Sequence, residues 1–325
     1  MTTSSRVPAI FGGAIIGHRD SGGRVNDPEV AQQIIDTMRK HGHIGMDTSR
    51  IYNAGTSEKV PPHLSSYLQG MRVDTKIFPA TPGDHSPLKI KATFQQSLEA
   101  LGPRVKIRVF YLHAPDRSVP FEETLQAVNE LYRENKFEEL GLSNFMSWEV
   151  AEVVGICERR GFIKPTVYQG VYNLLDRNTE PELFPCLRKY GIKFCAYSTL
   201  AGGYLTGKYL EDGIGAAEPG SHFDPNWAYG GFYISRYSPT VSHVRELQSI
   251  ARKYELGLGE VAVRWLMHHS LMRPEDHGVI LGASRVEQLE KSLLDCEKGP
   301  LPQEVAEACE TTWKNVKGGA YNYWL

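Results

Sequence analysis

A (β/α)8 barrel filling a single domain over residues 1–325 is the fold class that the sequence predicts. Three observations carry the prediction. Short apolar runs recur, and each stops at a polar residue. Segments with helical spacing of apolar residues lie between them. The run ends at residues 47, 76, 113, 144, 169 and 197 fall about 25–37 residues apart, the size of one strand–helix unit. Such alternation makes a parallel sheet with helices outside. Eight units close it into a barrel of the TIM type, with its site at the C-terminal strand ends. A doubly wound open sheet is the alternative. It ordinarily carries a G-x-G-x-x-G turn after its first strand, and neither Gly12-Gly13 nor Gly22-Gly23 makes that pattern.

The opening run is Ala9–Ile16. Asn26-Asp27-Pro28 starts a helix over Pro28–His41 and Gly42 ends it: aspartate caps, proline fits the first turn, and glycine tolerates the left-handed exit. The second run, His43–Asp47, stops at Asp-Thr. The segment between Glu58 and Arg72 is short, and Pro61-Pro62 delay its helix. The third run is Val73–Lys76, followed by a helix over Pro87–Leu101. The fourth, Val105–His113 (VKIRVFYLH), precedes a helix over Thr124–Asn135. Leu140–Asn144 leads to Trp148–Arg160, which Gly161 closes. Thr166–Gln169 leads to Glu182–Tyr190. The seventh run is Lys193–Ser198 (KFCAYS), and the eighth, Val279–Ser284, comes only after a long interval. That interval holds helices over Val241–Tyr254 and Gly259–His268. It also holds Gly213–Pro239, rich in Gly and Pro yet carrying Phe223, Trp227, Tyr229, Phe232, Tyr233 and Tyr237. A disordered linker lacks aromatics, so this reads as a long ordered loop after strand 7 that covers something. A helix over Val286–Cys296 follows, and the aromatic tail Tyr321–Leu325 is expected at the barrel mouth.

Composition excludes several function classes. Lys plus Arg number 36 and Asp plus Glu 38, a net charge of −2, which argues against a nucleic-acid surface or a polybasic membrane contact. No apolar run approaches the ~18 residues of a membrane span. Met1–Pro8 has no apolar signal core, so the expected location is the cytoplasm. Cys157, Cys186, Cys195, Cys296 and Cys309 are odd in number and scattered, which fits a reducing compartment rather than a disulfide framework. No metal is expected: H-E-x-x-H is missing, and the neighbours His268-His269 point apart on a helix. Neither G-x-S-x-G nor G-x-x-x-x-G-K-[ST] occurs.

In a barrel, polar groups that end different strands meet at one mouth. Asp47, Lys76 and His113 end consecutive strands, and Tyr52 lies just past the first. A lysine beside a tyrosine hydroxyl lowers its pKa from ~10 toward working pH. An aspartate keeps that lysine charged and oriented, and a histidine hydrogen-bonds an oxygen. Together they make a proton donor for a carbonyl oxygen becoming alkoxide. Taken singly, such residues more often cap turns, pack or meet solvent; their conjunction at adjacent strand ends points to chemistry. Later strand ends carry Ser143, Asn144, Gln169 and Ser198, which suit a carboxamide ligand, and Tyr197 offers a face to a flat ring. Leu200-Ala201-Gly202-Gly203 through Gly207-Lys208 is a small-residue loop with a lysine, a weak phosphate signal. Gly282-Ala283-Ser284-Arg285 opens a helix and is a second anion candidate.

These residues resemble the aldo-keto reductases. Asp47-Thr48-Ser49-Arg50-Ile51-Tyr52-Asn53-Ala54-Gly55-Thr56-Ser57-Glu58 is similar to the family signature D-T-A-x-x-Y-x-x-G-x-S-E. Asp74-Thr75-Lys76, Tyr111–Asp116 and Gly141–Phe145 continue it in order. Thr166–Asn173, Glu182–Arg188, Leu200–Tyr209, Arg264–Ser270 and Glu287–Glu290 resemble the aflatoxin-aldehyde reductase branch. The resemblance implies reduction of aldehydes and ketones by NADPH, in detoxification or secondary metabolism, with a homodimer as candidate assembly. Tyr52 would be the general acid, Lys76 would lower its pKa, Asp47 would pair with Lys76, and His113 would orient the carbonyl. Ser143, Asn144 and Gln169 would hold the nicotinamide carboxamide, with Tyr197 stacked on the ring. Ser198–Lys208 would cover the pyrophosphate, and Ser284, Arg285 and Gln288 would line the adenosine phosphate. Ser198-Thr199 stands where the branch has Asn-Pro, and Lys291-Ser292 departs from the family pattern at the adenine end. The tail lacks the arginine near which relatives end, which implies a less acidic substrate. Two other readings exist: a cofactor-binding regulatory subunit of a larger assembly, and a Schiff-base aldolase using Lys76, against which the neighbouring Asp47 argues.

Overall fold

The computed structural model describes residues 6–59, 68–211, 213, 217–227 and 229–325. Its strands are β1 (Ala9–Gly12), β2 (Gly45–Asp47), β3 (Arg72–Ile77), β4 (Ile107–Leu112), β5 (Phe137–Ser143), β6 (Pro165–Val171), β7 (Lys193–Tyr197) and β8 (Gly278–Leu281). All pair in parallel and in chain order, and β8 closes onto β1. The register sets Lys76 beside Tyr111, Ser143 beside Gln169 and Val171 beside Tyr197, so residues near the strand ends share one rim.

The helices are α1 (Pro28–Lys40), α2 (Pro87–Leu101), α3 (Phe121–Arg133), α4 (Ser147–Arg160), α5 (Leu183–Tyr190), α6 (Lys208–Glu211), α7 (Gly230–Tyr237), α8 (Val241–Arg252), α9 (Leu258–His268), α10 (Val286–Glu297) and α11 (Gln303–Val316). In α1 the Asp27 carboxylate accepts the Glu29 N–H at 2.9 Å, and Ala31, Ile34, Ile35 and Met38 form its buried stripe. The aromatic stretch is not loop throughout, because α7 forms inside it. Helix α11, which packs on α8, has no counterpart among the expected helices. The first strand is shorter than expected. Gly13–Ile15 leaves it as a 3-10 turn, since Gly13 passes so close that a Cβ would lie 2.8 Å from the Asp47 carbonyl. The delayed helix at Pro61-Pro62 falls outside the described residues.

Ile10, Val109, Tyr111, Val167, Cys195 and Ile280 fill the barrel. Tyr111 fits because Gly141 stands opposite; a Cβ there would come within 2.2 Å of its ring. Outside, Phe94, Phe110 and Phe137 pack between strands and helices. Among the described residues no helix is long and apolar enough to cross a membrane.

Candidate active site

Asp47, Tyr52, Lys76 and His113 come together at the C-terminal rim. Lys76 is fully buried, and its Nζ donates to both Asp47 oxygens at 2.6 Å and to the Thr48 carbonyl at 2.8 Å. It lies 5.0 Å from the Tyr52 ring centroid. The His113 ring stands edge-on to Tyr52, with centroids 5.8 Å apart, and to Phe78 at 5.4 Å.

Tyr52 projects from a turn, Tyr52–Glu58, that runs through three left-handed residues: Asn53 (φ 49), Ala54 (φ 52) and Gly55 (φ 83). Side-chain hydrogen bonds hold this uncommon path. Asn53 Nδ2 donates to the carbonyls of Ala14 and Ile16 at 2.8 Å. Arg50 donates to the Gly55 carbonyl at 2.5 Å and to buried Glu58 at 2.9 Å, and Glu58 also accepts from Thr75.

Burial alone pushes Lys76 down; the Asp47 charge, with Tyr52 adding to it, outweighs burial and holds the ammonium above the ordinary lysine range. The expected fall in the Tyr52 pKa is not what the structure has. Burial pushes Tyr52 up to about 12, and Lys76 only pulls against that. Tyr52 is therefore a protonated donor at neutral pH rather than a phenolate. Burial, with Lys76 and His85 adding, pushes His113 well below its ordinary value, so it is neutral.

Ser49 was no part of the expected set. It is fully buried, with Oγ 3.0 Å from the Lys76 carbonyl and 3.1 Å from His113 Nδ1. A signal existed, because the signature carries alanine at this position.

Ser143, Asn144, Gln169 and Tyr197 adjoin the four. Gln169 Nε2 donates to Asp47 at 2.7 Å. Asn144 (φ 61) donates to the His113 carbonyl at 2.8 Å and accepts from Tyr197 OH at 2.9 Å. Its own carbonyl accepts the Leu325 N–H at 3.1 Å, which places the tail at the barrel mouth. In the Ser198-Thr199 departure, Ser198 takes a left-handed φ of 56 and its carbonyl accepts from Asn173 at 3.0 Å. Leu200 begins a turn through left-handed Gly202 and Gly203; a Cβ on Gly202 would strike the Tyr233 ring at 2.8 Å. Across from it, Gly282 faces open space and Ser284 bonds Gln288 at the start of α10, beside Arg285. Lys208 pairs with Glu218 at 2.5 Å. That bond holds Glu218 below the ordinary glutamate range, with Arg24 and Arg285 adding their charges. Three cations thus act on one exposed carboxylate, Lys208 by direct contact and the two arginines by their charge. Arg24 is the member that sequence reasoning missed, because it lies on the loop after β1, far along the chain from the others. Lys291 pairs with Asp295 at 2.9 Å.

Over the mouth, Phe232 meets Tyr321 of the tail, with ring centroids 5.4 Å apart. Arg236 lies 5.0 Å from the Tyr321 ring centroid, but its charge is met by Asp176 at 2.6 Å.

Compared with known proteins, residues 9–314 match the model of the aldo/keto reductase family. An aldo-keto reductase of Pseudocercospora fijiensis is 42% identical, over 87% of this chain and 97% of its own length. Aflatoxin B1 aldehyde reductase member 2 of Mus musculus is 40% identical over 95% of this chain and 86% of its own. Aldo-keto reductase family 7 member A3 of Homo sapiens is 39% identical over 95% and 96%.

Proposed function

The chain belongs to the aldo/keto reductase family, oxidoreductases that act on carbonyl groups with nicotinamide cofactors, and from that premise we propose that it reduces aldehydes and ketones to alcohols with NADPH, using Tyr52 as the proton donor. One observation carries the reading: the Lys76 ammonium is clamped by Asp47 and lies against the ring of a protonated, half-buried tyrosine. A general acid must hold its proton until the oxygen it serves becomes basic, and Tyr52 does so at neutral pH. Lys76 then stabilises the phenolate that is left, at the moment it forms. Neutral His113 closes the other side of the same space and orients the substrate by a hydrogen bond.

The residues present suit the cofactor at both ends. Ser143, Asn144 and Gln169 supply the donors and acceptors that would hold a carboxamide, beside Tyr197. Lys208, Arg24 and Arg285 would hold phosphates, and three cations fit the extra phosphate of NADPH better than the hydroxyl of NADH. When bound, the cofactor supplies a hydride to the carbonyl carbon. The substrate is a small carbonyl compound, of xenobiotic or secondary-metabolic origin in keeping with relatives named for aflatoxin B1 aldehyde.

The test is NADPH oxidation with a panel of aldehydes and ketones, run beside Tyr52→Phe. Turnover is expected to fall about 10²–10⁴-fold in the variant, with NADPH binding retained. Tight NADPH binding without turnover of any carbonyl would instead support a cofactor-sensing subunit of a larger assembly.

A further inference from the structure

We propose that Asp176 sets the substrate class by occupying Arg236, the guanidinium over the barrel mouth, so that the site takes uncharged aromatic carbonyl compounds and turns away those that carry a carboxylate. The proposal rests on the reductase reading above and deepens it. Asp176 stands on the loop between β6 and α5, and a tight turn fixes it there. Asn173 and Asp176 form an antiparallel bridge, and Asn173 Oδ1 accepts the N–H groups of Leu175 at 2.8 Å and of Asp176 at 3.1 Å. The carboxylate is buried, and both of its oxygens are filled. Oδ1 accepts Arg236 Nε at 2.9 Å and Nη2 at 2.6 Å. Oδ2 accepts the Tyr237 hydroxyl at 2.7 Å and Asn173 Nδ2 at 2.8 Å. The acceptor is therefore in place, and satisfied, before any substrate arrives.

Arg236 lies where its charge would otherwise meet a substrate. Its guanidinium carbon is 5.5 Å from the Phe232 ring centroid and 5.0 Å from that of Tyr321, the two rings that meet over the mouth. The same cluster reaches the cofactor side, because Asn173 Nδ2 also donates to the Ser198 carbonyl at 3.0 Å. Tyr197 feels both charges. Burial, with Tyr233 adding, raises its hydroxyl pKa; Arg236 pulls that back and Asp176 pushes it up again, so the two members of the pair oppose each other beside the carboxamide residues.

An unpaired guanidinium in a desolvated mouth attracts carboxylates and can hold them by two hydrogen bonds. A paired one does not. A substrate carboxylate must displace Asp176, which its turn holds, or lie beside a second negative charge. What the pair leaves open is apolar and flat. Phe232 and Tyr321 are 45% and 36% exposed, and a guanidinium packed against their rings extends the surface they offer. A neutral aromatic ring bearing the carbonyl group fits that wall; an ionised acid finds no cation there. Asp176 touches none of the reacting atoms. It is a specificity-determining residue acting through Arg236.

Two measurements test this. In kinetics with NADPH, 2-, 3- and 4-carboxybenzaldehyde are each compared with their own methyl ester, and the acid-to-ester ratio of kcat/KM is compared between proteins, so that intrinsic reactivity cancels. Asp176→Asn is expected to raise the ratio about tenfold or more for at least one isomer, chiefly through the KM of the acid. A ratio that moves for no isomer overturns the proposal. Because Asp176→Asn leaves a buried arginine without its partner, Asp176→Asn with Arg236→Gln is made beside it. The double variant removes both charges and is expected to keep the wild-type ratio within about twofold, since the pair has no net charge to lose. A tenfold fall there means that Arg236 already serves acids in the wild type, and overturns the proposal even if the single variant does not fold. Calorimetry with benzoate needs no turnover. Binding is expected in Asp176→Asn and not in wild type, and wild-type binding that Arg236→Gln abolishes overturns the proposal. If wild type turns over no carbonyl compound at all, the reductase reading falls, while the benzoate titrations still decide whether Asp176 occupies Arg236.

Discussion

Lys76 has no solvent to share its charge with, so the charge survives only because Asp47 lies 2.6 Å away. Asp47→Asn removes that partner. The buried ammonium then either loses its proton or destabilises the fold, and breaking such a pair costs about 3–5 kcal/mol. We expect kcat for reduction to fall by about 10²-fold or more in Asp47→Asn, together with a lower melting temperature, measured on the same preparation. The pH profile follows from the two flanking groups. Tyr52 keeps its proton up to about 12, and His113 stays neutral until well below 6.5. Reduction needs the first protonated and the second neutral. The kcat/KM profile should therefore be flat from about pH 7 to about pH 10, and a bell centred near neutrality would contradict both assignments. These four residues were legible in the sequence because each ends, or directly follows, an apolar run, and a barrel brings such ends together. Ser49, Glu58 and Arg24 were not. Ser49 shows in the sequence only as a departure from the alanine of the signature, and Glu58 only as a member of it; their contacts, to His113 and Thr75, run across the chain and no local pattern encodes them. The sign of the Tyr52 shift is hidden for a related reason: a sequence displays the lysine that lowers it but not the burial that raises it.

The turn Tyr52–Glu58 is where element geometry bears on chemistry. Three successive left-handed residues are costly, and the third is the glycine. At Gly55 a Cβ would lie 1.7 Å from Arg50 Nη2, so Gly55→Ala must expel the guanidinium from its bonds to the Gly55 carbonyl and Glu58. We expect about 1–3 kcal/mol of lost stability by denaturant titration, with a larger fall in kcat than in cofactor affinity, because the turn carries Tyr52 and not the carboxamide residues. Most elements were readable because their apolar stripes are strong. Helix α11 was not. Its buried face is Val305, Ala308, Cys309, Thr312 and Val316, spaced as a helix should be but built largely of small or polar residues. Helix α7 was hidden by the Gly and Pro around it; its inward side rests on ring packing, Tyr237 on Tyr204 and Tyr233 on Phe223.

Across the whole molecule, chemistry and stability occupy neighbouring layers of one barrel, Asp74 standing in register with Asp47 and two residues before Lys76. The C-terminal rim holds Tyr52, Lys76 and His113. Toward the N-terminal end, Asp74 of β3 is buried and receives Arg108 of β4 at 2.9 Å and 2.5 Å, with His277, just before β8, at 3.0 Å. Groups from distant parts of the closed sheet thus meet on one carboxylate. Barrel enzymes place function at the C-terminal face, so this cluster is assigned to holding the barrel together. Burial alone would push Asp74 up; bonds from His277 and Arg108 outweigh it and hold the carboxyl below its ordinary 3.8. A depressed carboxyl pKa contributes stability that is present above the unfolded value and lost as pH falls through the folded one. The contribution is therefore complete at neutral pH and disappears only below about 3.8. Arg108→Ala strands the carboxylate and should cost about 3–5 kcal/mol at pH 7. The difference in melting temperature between variant and wild type should shrink as the pH is taken below 4, where Asp74 can protonate. At temperatures where the variant remains folded, its kcat should equal that of wild type. A variant that melts normally would show that this cluster does not hold the barrel together, and one that stays folded yet loses kcat would show that it does not serve stability alone.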